Sequence, residues 1–393
     1  MSAQPGYAPP NYPQQTPPPP VVPPPPPRRP FEKLEHFWHR VTDGLELQQL
    51  WSQFVTEARS GYRLYSKEVQ ARSQDTPPVK HQWVHTIGEF FWAIVMKLSP
   101  AKRVVLLIGL VLMMIDTMTF GTGDGRVTID TRLLGGLLIL IILILETADR
   151  VTMKRDLEIA REIQHWLVPS EAPKVPGLDI AFVTRAANTV AGDYYDVIPR
   201  GTDGKQLLVI ADVAGKSMPA ALLMATFQAS LKTLSAMTPD LCELVCGLNR
   251  YACDHSIRGS RFTTAFLAEF DPATRGLKYV NAGHNPPLRL RGVGVEPLTA
   301  GGVPLGILKD ANYEAGVTML EPGDVLAIYT DGVVEAENVS AAEFGDQRMI
   351  AALRAQPNGT AQQLVQILMA QIEQFVGTAP QHDDITCMVV RCV

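Results

Sequence analysis

The C-terminal half of the sequence predicts an α+β fold of antiparallel sheets flanked by helices, and a helical membrane hairpin is predicted ahead of it. Three observations carry this. Short strand-like runs alternate with long helical runs between residues 180 and 390. The breaks between strands, such as Asp-Pro-Ala-Thr-Arg-Gly at 271–276, have the chemistry of hairpin turns and are too short for a crossover. Upstream lie two uncharged apolar runs, at 104–115 and 133–145, the second almost wholly Leu and Ile.

The chain is 393 residues long, enough for two or three domains, with 46 % hydrophobic and 19 % charged residues and a formal net charge of -5. No dense Lys/Arg block stands out, so there is no electrostatic case for a nucleic-acid partner. Five cysteines (242, 246, 253, 387 and 392) include no CxxC pair and no His at ligand spacing. They read as small buried hydrophobes of a reducing compartment.

Residues 1–30 hold 14 of the 31 prolines and lack the apolar side chains of a core. They predict an extended, solvated tail serving as a spacer or as a ligand for an aromatic groove. From 31 to 100 the pattern is helical. Leu34, Trp38, Val41 and Leu45 recur at helical spacing, and an aromatic stretch with Phe90, Phe91 and Trp92 ends in Lys97, Lys102 and Arg103. Rings followed by cationic heads suit a membrane interface.

Residues 101–148 read as a two-helix hairpin. The first run extends past Asp116 to Phe120, and the Gly/Asp/Thr-rich segment 121–130 reads as a tight polar turn. Basic residues flank the outside of the pair (Lys97, Lys102 and Arg103; Arg150, Lys154 and Arg155), whereas the loop region has Arg126 and Arg132. That bias puts both flanks in the cytoplasm and the chain in a bacterial inner membrane as a two-pass protein. A buried helical pair in a soluble domain is the alternative. Residues 149–172 form a linker helix in which Met153, Leu157, Ala160, Gln164 and Leu167 are spaced 4, 3, 4, 3, with Ile159, Ile163 and Trp166 beside them. The seam serves a homodimer and a helix packed on its own domain equally well.

In the region 173–393, strands are predicted at 180–184, 207–212, 263–270, 277–281, 288–290, 325–329 and 385–390, and helices at 219–237, 240–255 and 360–376. Four carboxylates stand out. Asp193 lies in Ala-Gly-Asp-Tyr-Tyr-Asp, Asp212 and Asp331 close apolar strands, and Asp383 precedes the last strand with Asp384 beside it. A carboxylate at a buried strand end is costly unless its charge is compensated. Several of them next to glycine form an oxygen-donor set for a hard divalent cation.

These segments resemble the SpoIIE-type branch of the metal-dependent protein serine/threonine phosphatases, relatives of protein phosphatase 2C. The resemblance rests on Gly192-Asp-Tyr-Tyr-Asp196, Asp212-Val-Ala-Gly-Lys216, Pro219-Ala-Ala-Leu-Leu-Met224 and Asn281-Ala-Gly-His284. It continues in Pro304-Leu-Gly306, Glu321-Pro-Gly-Asp324, Tyr329-Thr-Asp-Gly332 and Asp383-Asp-Ile-Thr386. Ala191 and Ser217 stand where the family usually or often has glycine, and as small residues both are expected to be tolerated. The resemblance implies an antiparallel two-sheet sandwich flanked by helices (αββα) and two divalent ions, Mn2+ or Mg2+. Asp212 would bridge them, Asp193 and the Val213 carbonyl would serve one, and Asp331 and Asp383 would complete the other. It also implies a phosphorylated protein substrate, an anti-sigma-factor antagonist of a partner-switching pathway. His284 reads as part of a structured turn, and Asp196 and Asp384 as either supporting groups near a metal or hydrogen-bonded turn residues. The arginine that holds phosphate in eukaryotic relatives has no match here. The alternatives are a non-catalytic membrane signalling adaptor with a phosphatase-like fold and a phosphatase of small esters.

Overall fold

The computed structural model describes residues 92, 95–120, 127–255 and 261–393. The proline-rich tail and nearly all of the helical region expected at 31–100 lie outside the described residues. The chain divides into two compact units between Ile142 and Leu143.

In the first unit, helix α1 (Pro100–Met114) starts with Pro100 in its first turn, and the Ser99 hydroxyl caps it by accepting from the Lys102 amide. Strands β1 (Thr117–Phe120) and β2 (Val127–Asp130) then pair antiparallel, Thr117 against Asp130. This corrects two expectations. Residues 117–120 do not extend the first apolar helix, and 127–130 belong to a strand rather than a tight turn; β-branched Thr, Val and Ile favour a pleated pair at both places. Asp116 is compensated by Arg132 at 3.0 Å.

Helix α2 (Thr131–Leu167) is continuous over 37 residues, so the second apolar run and the expected linker helix are one element. No proline or glycine stands between residues 145 and 167 to break it. Among the described residues it is the one helix long and apolar enough to cross a membrane. Its start packs closely on α1. A Cβ on Gly135 would lie 2.5 Å from the Gly109 carbonyl oxygen and 2.9 Å from the Met113 nitrogen, an approach that glycine permits. Most Leu and Ile side chains at 133–145 are exposed.

The second unit is a four-layer sandwich. One sheet contains β4 (Tyr194–Arg200), β5 (Lys205–Val213), β6 (Thr263–Asp271) and β7 (Gly276–Ala282) in the order β7-β6-β5-β4, all antiparallel. The outer edge of β7 is shared by the short β10 (Gly301–Gly302), parallel to it, and β11 (Gly316–Met319), antiparallel. The other sheet is antiparallel throughout, in the order β3 (Leu178–Arg185), β13 (Ile385–Cys392), β12 (Val325–Tyr329), β8 (Leu288–Arg291) and β9 (Gly294–Pro297).

Strand alternation sends one set of residues inward and the other outward. Leu208, Ile210, Phe266 and Phe270 meet Leu326, Ile328, Met388 and Val390 between the sheets. The opposite face of β5 and β6 (Leu207, Val209, Leu267) is covered by α3 (Met218–Met237) and α4 (Leu241–His255) through Met224, Leu231 and Leu244. Ala327, Tyr329 and Val389 are covered by α6 (Gly345–Arg354) and α7 (Ala361–Val376). This is the antiparallel two-sheet sandwich with helical outer layers that the sequence predicted. All five cysteines are free; Cys387 and Cys392 are buried, and the three on α4 are half-buried.

Candidate active site

Both sheets end at one cleft of about 250 Å³, lined by Asp212, Val213, Gly215, Lys216, Asp331 and Asp383 among others. Asp212 is the next-to-last residue of β5, across from Thr264 on β6. Asp193 sits just ahead of β4, nearly fully buried. Asp331 does not end a strand: β12 stops at Tyr329, and Asp331 opens the one-turn helix α5 (Asp331–Val334) after Thr330. Asp383 lies in the segment entering β13.

Two glycines make this convergence possible. A Cβ on Gly192 would stand 3.1 Å from the Val213 carbonyl oxygen, and one on Gly332 would stand 2.0 Å from the Asp384 carbonyl oxygen. The Gly-Asp and Asp-Gly pairs of the sequence are therefore steric requirements of packing neighbouring loops at the end of each sheet, β4 against β5 and β12 against β13.

The charges are left in mutual repulsion. Burial first, and then the Asp212 charge, hold the Asp193 carboxyl well above the usual carboxylate range. Asp212 is pushed up to about 7 by burial, then by Asp331 and Asp383. Burial and then Asp383 raise Asp331. Such groups each favour the neutral form until a positive charge arrives. Lys216 supplies one from within the cleft, with its Nζ 3.0 Å from Asp383 Oδ2. Among the described residues, no group of three or more His, Cys, Asp or Glu side chains already has the arrangement that holds a metal ion. The donor set still fits a hard cation in its chemistry: carboxylate oxygens, mutually repelling and partly dehydrated.

Residues 202–393 match the family profile described as Stage II sporulation protein E (SpoIIE). Over those residues the C-terminal domain is similar to the SpoIIE, PP2C-like phosphatase domains. The chain is 28 % identical over 272 residues to Protein IcfG of Synechocystis sp., which covers 62 % of this chain and 42 % of that protein. It is 29 % identical over 247 residues to the phosphoserine phosphatase RsbU of Bacillus subtilis, covering 61 % of this chain and 70 % of RsbU. The chain thus spans less than half the length of IcfG. The SiaA-PP2C domain of Pseudomonas aeruginosa shares the fold, with a TM-score of 0.56 at 21 % identity over 63 % of this chain and 99 % of that domain.

Around its acidic cleft, the domain has supporting residues that sequence reasoning passed over. Thr330, fully buried, donates from Oγ1 to Asp193 Oδ2 at 3.0 Å, and its hydroxyl accepts from the Thr386 amide at 3.0 Å. Gln164, near the end of α2, clasps the loop ahead of Asp193: its Nε2 donates to the Ala191 carbonyl at 2.6 Å and its Oε1 accepts from the Ala191 amide at 3.0 Å. Gln164 is a member of the heptad-like seam, and a polar residue on an apolar seam was the available signal. Leu157, Ala160, Gln164 and Leu167 are half-buried, whereas Ile159, Ile163 and Trp166 are exposed.

Three other residues resolve into structural parts. Asp384 accepts from the amides of Ala187 and Gly192, both at 2.7 Å, and so pins the Asp193 loop. Asp196 accepts from the Tyr194 hydroxyl at 2.7 Å and pairs with Lys232 at 3.1 Å. His284 is buried, its Nδ1 lies 3.0 Å from the Thr264 hydroxyl, and burial pushes its pKa down to about 4. The Asn281 side chain bonds both the amide and the carbonyl of His284, which makes the segment a structured turn.

Proposed function

We propose that the chain is a divalent-metal-dependent protein serine/threonine phosphatase. The single observation that carries this reading is the convergence of Asp212, Asp331 and Asp383 at the cleft where the two sheets end, with buried Asp193 behind them, close enough that burial and neighbouring carboxylates raise the pKa values of Asp193, Asp212 and Asp331. Together with the Val213 carbonyl, these are the groups that would hold the metal. When bound, a pair of Mn2+ or Mg2+ ions supplies positive charge against the phosphoryl oxygens and lowers the pKa of an attacking water. The protein's own part is positional. Thr330 orients Asp193, Asp384 and Gln164 fix its loop, and the strand ends hold Asp212 at a set height in the cleft. The His284 backbone is held in its turn by Asn281, and burial keeps the ring on the neutral side.

The substrate in this reading is phosphoserine or phosphothreonine on a signalling protein, an anti-sigma-factor antagonist of a partner-switching pathway. The name of the relative RsbU, a phosphoserine phosphatase, supports the substrate class. We place the chain in a bacterial cytoplasmic membrane, with a hairpin at about 101–148 and the catalytic domain, 173–393, in the cytoplasm. The exposed apolar flank of α2 and the close Gly109–Gly135 crossing support this. With its 15 residues α1 spans only about 22 Å. The linker helix pairs with a second copy through Ile159, Ile163 and Trp166, the apolar stripe left exposed.

The deciding experiment is hydrolysis of p-nitrophenyl phosphate and of a phosphoserine protein, with and without Mn2+, by the parent and Asp331→Asn. Mn2+-dependent turnover of both by the parent alone is expected. Turnover that ignores Mn2+, or that survives in Asp331→Asn, would sink the reading.

A further inference from the structure

Among the described residues lining the acidic cleft, Lys216 is the one Lys or Arg. Its ammonium is shared between Asp383 Oδ2, at 3.0 Å, and the carbonyl oxygen of His382. The two ends come from different sheets: Lys216 follows β5, and Asp383 precedes β13. The contact therefore closes the cleft from sheet to sheet. Its loop has an enforced shape. Gly215 has φ +120°, and Ser217 has φ +63° with ψ −150°, a region that is essentially glycine's alone.

Stability does not account for the pair. The two side chains are 52 % and 47 % exposed, and ion pairs in that setting add little. Geometry gives it another consequence. Asp383 Oδ1 already accepts from the Asp384 amide at 2.9 Å, so Oδ2 is the oxygen left for a divalent ion, and an ammonium 3.0 Å from it competes for the same place. Once displaced, the lysine keeps four methylenes of reach inside the same cleft. The anion left to it is the one the ions themselves attract, a phosphoryl group with oxygens to spare.

We propose that Lys216 is the phosphoryl-positioning residue of this cleft, held in reserve by Asp383 until a divalent ion takes that carboxylate. The inference rests on the phosphatase reading given above. It assigns a fixed positive charge to the β5–α3 loop.

The exchange makes two effects of opposite sign. Removing the ammonium frees Asp383 for the metal and at the same time removes a donor to the phosphoryl group. A residue that merely shaped the loop would weaken both when lost. The test uses the full chain as parent, Lys216→Met and Lys216→Arg. Mn2+ binding is measured by titration calorimetry without substrate, and inorganic phosphate is measured as an inhibitor of p-nitrophenyl phosphate hydrolysis at saturating Mn2+. Lys216→Met should bind Mn2+ several-fold more tightly and phosphate about tenfold more weakly, the loss of one charge-assisted hydrogen bond. Lys216→Arg should hold phosphate close to the parent level. Mn2+ binding that is unchanged or weaker in Lys216→Met, or unchanged phosphate inhibition, would overturn the proposal. A parent that binds no Mn2+ would instead overturn the phosphatase reading, and this one with it.

Discussion

At one end of the β4–β5 ladder Arg200 stands opposite Lys205, and both reach Glu269 on β6, at 3.0 Å and 3.4 Å. Arg200 also donates to the Thr238 and Pro239 carbonyls, and only its Nη1 lacks a partner. At the other end Asp212 closes β5, Asp193 precedes β4, and Asp331 and Asp383 arrive from the second sheet. Both ends bury charge in one scaffold. At the first, the cations meet a carboxylate within the protein; the second gathers four carboxylates with one half-exposed lysine beside Asp383. An ion pair closed on itself has no use for a ligand, whereas carboxylates that raise one another's pKa values are an invitation to a cation. The contrast separates an end of the sheet whose charges are paired within the protein from the one proposed to bind metal.

The sharpest way to break this contrast is to neutralise one residue at each end. Asp212→Asn should abolish Mn2+-dependent hydrolysis, a loss on the order of a hundredfold or more. The metal-free protein should unfold no more easily, because a repelled carboxylate has been removed. Steady-state kinetics and thermal melts of the same preparation check both. Glu269→Gln should do the reverse. It strands Arg200 in a nearly closed site and should cost about 3–5 kcal/mol in denaturant unfolding, with the turnover of the surviving folded fraction intact.

A smaller effect concerns His284, which stays neutral in the fold because burial lowers its pKa from 6.5 to about 4. The unfolded chain takes up a proton below pH 6.5 and the folded one does not. This group therefore removes stability as pH falls through that window, by about 1.4 kcal/mol per pH unit at most. The stability of the parent relative to His284→Gln should decline from pH 6.5 toward 4, measured by urea unfolding at each pH. A constant difference would show that His284 titrates alike in both states. The smallest effect is at Ser217, whose backbone lies where glycine belongs. Ser217→Gly should stabilise the chain by about 1 kcal/mol, read from the shift in the unfolding midpoint. The sequence had marked this position as one where the family often has glycine; tolerance was expected, and the backbone adds strain.

How much could be read from the sequence depended on the kind of signal. Buried strands such as 207–212 and 325–329 and the long helices carry continuous apolar patterns, and they fold where those patterns are. Strand β4 was not anticipated because Asp196 and Pro199 interrupt it. It lies at the edge of its sheet, where proline's missing donor costs no ladder bond. The division between apolar run and linker helix rests on hydrophobicity, but only a breaker ends a helix, and α2 has none there. At the site, Asp193 and Asp331 declared themselves by lying beside glycine, and Asp212 and Asp383 by lying at the end of one apolar strand and just before another. Thr330 and Gln164 did not, because an orienting hydrogen bond depends on partners 137 and 27 positions away in the chain.

Calorimetric titration of the full chain with Mn2+ tests the central claim most directly, with Glu269→Gln and Asp212→Asn run beside the parent. Saturable binding by the parent and by Glu269→Gln, lost in Asp212→Asn, is the predicted result. Equal binding by all three, or none by the parent, would contradict the view that the acidic end of the sheet is built for a cation.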